Sequence, residues 1–222
     1  FRFRDCDILA IDLSSSSLAY AKRKTKELNV SNIEYMRADI LDVDKIRRKF
    51  DIIESVGVLH HMRNPMAGWR ALVGCLKTDG IMRVGLYSEL ARRHIVRIRD
   101  EIKKENVKFS DSYMRSFRNK LIKPKNSLHS HIEMSPDFYN MSSIRDLLFH
   151  VQEHRFTISQ INICLKDLGL SFCGFEHPKI SRSISSDILS ISDIYCLEEW
   201  EKFEKDNPDT FLGMYQFWCQ KI

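Results

Sequence analysis

Three observations predict an α/β fold built on a mostly parallel sheet. Strand-like and helix-like runs alternate with short connections through residue 90. Two early strands end on a carboxylate, Asp12 and Asp39, at the sheet end where such folds place a ligand crevice. The alternation then stops, and helix-like segments occupy Ala91 to about Leu168 before strand-like runs return.

The run DILAIDLS is an apolar strand leading to Asp12, and Ser15 to Ser17 can cap the helix that follows. Leu18, Ala21 and Leu28 share a face of that helix, and Asn29 ends it. NIEYMRADILDV supplies a second strand finishing at Asp39, and FDIIESVGVLHHM a third, apolar enough to be covered on both faces. NPMAGWRALVGCLKTDG opens with Asn-Pro and closes with a glycine-containing turn, the marks of a helix start and stop. GIMRVGLYS is the fourth strand. Beyond it, ARRHIVRIRDEIKKENV and SSIRDLLFHVQEH read as helices of an insertion or cap, with no strand before Leu168. LGLSFCGFEH and TFLGMYQFWCQKI then read as two strands flanking an acidic helix around CLEEWEKFEK. The expected division is 1–90 for a ligand-binding core, 91–168 for the cap and 169–222 for the strands that complete the sheet.

With 222 residues and 43% hydrophobic content the chain can bury a sizeable core. No apolar run is long enough to span a bilayer, and FRFRDCD lacks the order of a secretory signal, so a cytoplasmic location is expected. The six cysteines are scattered without a C-x-x-C pair, which argues against a zinc knuckle or a disulfide framework and for reduced, buried thiols. The net charge of +5 is uneven: residues 91–125 hold twelve Lys or Arg against four Asp or Glu, and residues 187–222 hold eight acids against three bases. The basic stretch could meet an anionic partner. No aromatic-rich or RNA-binding motif accompanies it, which places nucleic acid behind a small-molecule or carrier-linked substrate.

Four stretches in this order, AIDLS, RADILD, FDIIESVGVLHHM and LKTDGIMRVGLYS, resemble the class I S-adenosylmethionine-dependent methyltransferases, GVLHHMRNP being the most specific phrase. RDLLFHVQEHRFT and NPDTFLGMYQFWCQK are similar to a bacterial subgroup of them often joined to other domains. The resemblance implies a Rossmann-like sheet with an antiparallel last strand, S-adenosyl-L-methionine as cofactor, and roles for particular residues. Asp12 would accept from both ribose hydroxyls and Leu13 would line the adenine. Asp39 would accept from the adenine amino group, Ile40 would offer its backbone N–H, and Ser55 and Gly57 would flank the methionine end. His60 and His61 would stand at the mouth as candidate bases, an imidazole being suited to that task near neutral pH. Tyr139, Arg145, His150, Glu153 and His154 would line a substrate pocket beneath the cap.

One departure is plain: no G-x-G pattern occurs, so the family's first strand and its glycine-rich loop are not in this sequence. The chain starts in mid-pattern without methionine and is expected to be part of a longer protein. The absent strand would lie between DILAIDL and FDIIESV, leaving two unpaired edges and, it is expected, weak cofactor binding and slow methyl transfer. Three other readings compete. A non-catalytic module could bind an acidic partner through the basic helices, and an NAD-dependent oxidoreductase would also place an acid after a strand. His150, Glu153 and His154 have the H-x-x-E-H spacing of an inverted zinc peptidase, provided they lie on a helix; with no third ligand evident, no metal site is assigned.

Overall fold

The computed structural model describes residues 5–105, 110–122, 132, 138–149, 152–176 and 191–222. The first unit is β1 (Ile8–Asp12), α1 (Ser15–Glu27) and β2 (Ile33–Arg37), with β1 and β2 parallel and Asp12 opposite Arg37. Ser14, one residue earlier than expected, caps α1 by accepting from the Ser17 N–H. Asn29 adopts φ 55° just after the helix, the left-handed conformation that asparagine tolerates better than most residues. A 3-10 helix, Ile40–Ile46, leads to β3 (Phe50–Val56), and a second, Leu59–His61, leads to α2 (Pro65–Cys75). Asn64 caps α2 by accepting from Ala67, and Pro65 takes a first-turn position where its missing N–H costs nothing.

The strand β4 (Leu76–Ser88) is longer than the sequence predicted. The turn expected at Thr78–Gly80 is an irregularity within it, marked by Asp79 at φ 60° and by a register shift between the Phe50–Leu76 and Ile52–Ile81 pairs. From Ile81 onward β4 alternates cleanly, with Met82, Val84, Leu86 and Ser88 buried on one face. Helices α3 (Arg93–Lys104), α4 (Asp111–Leu121) and α5 (Met141–Phe149) follow. Next come β5 (Arg155–Phe156), α6 (Ile158–Asp167), β6 (Leu170–Phe175), α7 (Leu197–Asp206) and β7 (Tyr215–Lys221). β7 runs antiparallel to both β4 and β6, as expected of the last strand.

Two buried clusters organise the chain. The larger joins one face of β4 and β7 to α2, α6 and α7 through Trp69, Leu72, Ile161, Trp200 and Phe217. The smaller belongs to the cap and contains Ile98, Ile102, Met114, Phe117 and Leu147. α6 therefore packs with the sheet, although it falls inside the stretch read as cap. The short β5 was not foreseen either; it pairs in parallel with the end of β4, Tyr87 opposite Arg155 and Ser88 opposite Phe156. A two-residue strand carries no periodicity for sequence reading to detect.

The sheet is divided. β1 pairs with β2, and β3 heads a separate path β3-β4-β7-β6, so β1 and β3 each have a strand partner on one edge among the described residues. The division falls where the resemblance placed the absent strand. Its effect on packing is large: among the described residues Val43 is the sole fully buried hydrophobic residue before Leu59, while Ile8, Leu13, Ile52 and Val58 stand exposed. Helix α1 buries none of its residues fully.

Candidate functional site

The carboxyl ends of β1, β2 and β3 gather the candidate cofactor residues. Asp12 closes β1, and its Oδ1 accepts the Ser14 N–H at 2.7 Å. Arg37, from the end of β2, donates from Nε to the Leu13 carbonyl at 3.1 Å and pins the backbone just past Asp12. Asp39 caps the first 3-10 helix, its Oδ1 accepting from Leu41 at 2.9 Å rather than from Ile40, whose N–H was expected to serve the adenine ring. Each carboxylate thus gives one oxygen to a local turn, and neither is in an ion pair among the described residues. The Ala38 N–H donates to the Asp12 carbonyl, tying the two strand tips together.

Leu13 and Asp39 share an open depression of about 580 Å³ with Met36, Ala38 and Ile46. Leu13 is 61% exposed, so its apolar side chain is open to a flat ligand. Asp12, Ile40, Ser55 and Gly57 lie outside that depression. Ser55 is buried on β3, and its hydroxyl has no hydrogen-bond partner among the described residues. Gly57 sits at φ +78° with open space where a Cβ would be, so the backbone there is accessible to a ligand. The approach of β3 to β4 depends on Gly85, where a Cβ would come within 2.7 Å of Val56.

The two adjacent histidines part company. His60 is fully buried, its ring stacked on Tyr87 with centroids 3.9 Å apart, so it is not at the mouth as expected. A 3-10 turn sends neighbouring side chains in different directions, and the pair HH gives no clue to which one turns inward. His61 is partly exposed, and its Nδ1 lies 3.1 Å from the Gln152 carbonyl oxygen.

The proposed pocket residues disperse. His150 lies outside the described residues. Tyr139 and Arg145 are on the outer surface of the cap, where Tyr139 is 64% exposed and Arg145 pairs with Asp111 of α4 at 2.6 Å. Glu153 is buried in an ion cluster: Arg92 grips it through Nε at 3.1 Å and Nη2 at 2.8 Å, and Arg99 adds a contact at 2.9 Å. A carboxylate held by two guanidiniums is a structural tie, not a substrate contact. His154 lies against the histidine turn, its backbone N–H donating to the His60 carbonyl at 2.8 Å. Residues 152–154 are not helical, which removes the one-face geometry the zinc-peptidase reading needs, and among the described residues no three metal-ligating side chains cluster.

Sequence reading missed a buried polar centre at the end of β4. Glu204 of α7 accepts from Ser88 Oγ at 2.6 Å and from Tyr215 Oη at 2.7 Å, and the Ala91 N–H donates to Ser88 Oγ at 3.0 Å. Burial pushes the Glu204 carboxyl above its usual range, while the two hydroxyl donors pull it back. A signal was present: Glu204 lies four residues after Trp200, on the apolar stripe of α7 with Leu197 and Phe203.

This is the architecture of an α/β ligand-binding sheet whose crevice opens at its strand tips. Residues 1–82 match the model of the methyltransferase domain family. Two solved structures of PKMT2 from Rickettsia typhi, one of them in complex with AdoHcy, share the fold with TM-scores of 0.66 and 0.64 at 17% and 18% identity. Each match covers 95% of this chain and 43% of that one. A protein of Synechococcus is 34% identical over 97 residues, which is 43% of this chain and 23% of its own length. The chain thus spans less than half the length of these relatives. No helix among the described residues is long and apolar enough to cross a membrane.

Proposed function

We propose that this chain holds S-adenosylmethionine at the tips of β1 to β3 and transfers its methyl group to a nucleophile bound beside the cap. The observation that carries the reading is the pair of strand-end carboxylates, Asp12 and Asp39. Each is anchored by one oxygen to its own turn, neither is in an ion pair among the described residues, and the exposed Leu13 shares a depression with Asp39. Asp12 would take the ribose diol, Leu13 the adenine face, and Asp39 with Ile40 the adenine edge. Ser55, with its buried uncommitted hydroxyl, and Gly57 would flank the amino-acid end. The cofactor supplies an electrophilic methyl on a positively charged sulfur. The chain's own part is to hold the nucleophile in line with that bond and to take its proton.

His61 is the better placed of the two candidate bases because His60 is fully enclosed. Arg97, Lys104 and Arg115 are exposed on α3 and α4, which supports an anionic substrate, small or carried on a larger molecule. The divided sheet supports weak cofactor binding by residues 1–222 taken alone, since β1 and β3 are not held in one plane by a strand between them. Isothermal calorimetry with S-adenosylhomocysteine tests this. Weak binding that is lost in Asp12→Ala is expected. Tight binding would contradict the effect assigned to the divided sheet, and the same response from Asp12→Ala would contradict the assigned site.

A further inference from the structure

Between α5 and β5, residues Gln152 to His154 form a strap against the second 3-10 helix, and its side chains alternate in what they touch. Gln152 and His154 turn toward each other beside the histidine turn. Gln152 Nε2 donates to the Met62 carbonyl at 3.3 Å and lies 3.3 Å from His154 Nε2, while the His154 N–H donates to the His60 carbonyl. Glu153, between them, faces the cap. There Arg92 holds both its oxygens, and Arg99 ties it to the end of α5 by donating to the Leu147 and Asp146 carbonyls at 2.9 to 3.1 Å. Arg155 stands 3.9 Å away but is engaged by Glu89 at 2.9 Å.

Arg92 has a second contact, its guanidinium 3.6 Å from the centroid of Tyr87. The His60 ring lies 3.9 Å from the same centroid. Tyr87 is thus in contact with both the arginine and the histidine ring and links the ion cluster to the histidine turn. The ion cluster reaches the histidine turn through Tyr87, and the strap reaches it through the Met62 and His60 carbonyls. The strap also brings the Gln152 carbonyl to 3.1 Å from His61 Nδ1. A carbonyl oxygen accepts and cannot donate, so Nδ1 must carry the hydrogen, and in the neutral imidazole the lone pair is then on Nε2.

We infer that Glu153 is a positioning residue for His61: clamped by Arg92 and Arg99, it sets the strap so that the Gln152 carbonyl fixes His61 as the Nδ1–H tautomer, with Nε2 as its basic atom. The use of Nε2 as a proton acceptor rests on the methyl-transfer reading; the tautomer does not. Removing the Glu153 charge leaves two buried guanidiniums without their carboxylate, and the strap loses its registration with the histidine turn.

The experiment is imidazole ¹H–¹⁵N correlation NMR on the whole chain at about pH 8, where an ordinary imidazole is neutral. The His61 signals are assigned by their loss in His61→Gln. Wild type should show His61 as Nδ1–H, and a predominant Nε2–H form there would overturn the inference at once. Glu153→Gln keeps the side-chain shape and should lose the Nδ1–H predominance; a folded variant that retains it refutes the positioning role. Should that variant fail to fold, Arg92→Lys decides, because it keeps the charge but can neither grip both oxygens nor lie flat on Tyr87. A spectrum unchanged in Arg92→Lys counts against the clamp. S-adenosylhomocysteine calorimetry reports separately on the cofactor reading, whose failure would leave the tautomer spectrum untouched.

Discussion

Tyr215→Phe should destabilise the protein in a pH-dependent way, because it removes one of the two hydroxyl donors to a buried carboxylate. Tyr215 is fully buried, and its Oη lies 2.7 Å from both oxygens of Glu204, itself 4% exposed. When Glu204 is ionised, the lost bond is charge-assisted and costs about 1.5–3 kcal/mol; when it is protonated, a neutral bond of about 0.5–1.5 kcal/mol is at stake. The sign follows from the raised carboxyl. Burial favours the protonated form in the folded state, so the contribution of Glu204 to stability is fully present below its unfolded value of 4.5 and is lost as pH rises through its folded value. The Tyr215 hydroxyl opposes that loss by stabilising the carboxylate. Its removal should push the Glu204 carboxyl higher still and steepen the decline above pH 4.5. Urea unfolding of wild type, Tyr215→Phe and Tyr215→Phe with Glu204→Gln, followed from about pH 4.5 to pH 8, gives the test. The single variant should lose roughly twice as much stability at the alkaline end as at the acid end, and with Gln at position 204 the pH dependence of that loss should vanish. A loss of the same size at every pH would refute the reasoning.

Three further outcomes are expected. Trp69→Ala, which empties a fully buried site in the larger cluster, should cost about 3–5 kcal/mol by urea unfolding. Gly85→Ala should cost about 1–3 kcal/mol, since its Cβ would meet the Val56 backbone at 3.0 Å; Gly68→Ala should cost less, because its closest clashes are with the end of the flexible Met62 side chain, with Leu59 Cδ2 farther off at 3.2 Å. Asp12→Asn should weaken S-adenosylhomocysteine binding by roughly ten-fold and Asp12→Ala by a hundred-fold or more, since asparagine keeps the turn to Ser14 and one polar contact while alanine keeps neither. Wild-type affinity in Asp12→Asn, with the loss confined to Asp12→Ala, would show in calorimetry that Asp12 shapes the loop and does not touch the ligand.

Much of this molecule is legible along the chain. The apolar run ending at Asp12, the Asn64-Pro65 cap of α2 and Asn29 just past α1 are local signals that reappear where the pattern put them, while the second strand stops at Arg37, two residues short of Asp39, which caps the next turn instead. They are readable because helix caps and strand periods depend on residues within a few positions of one another. The division of the sheet was expected for a different reason: the resemblance to the methyltransferases implies a strand between β1 and β3, and no run in the sequence matches it. The thiols were half legible, with Cys75, Cys164 and Cys219 buried but Cys6 and Cys173 exposed.

What the tertiary structure alone decided are the contacts made across long stretches of chain. Glu153 looked like a pocket residue until Arg92 and Arg99, more than fifty positions upstream, closed on it, and Glu204 looked like one more charge of an acidic helix until Ser88 and Tyr215 met it under the sheet. Which of His60 and His61 is enclosed depended on where Tyr87 lies. A side chain's local sequence sets the element it belongs to and the face it occupies, but whether a charge there is paired, buried or offered to a ligand is settled by the partner that folding brings, and partners so distant leave no periodic trace.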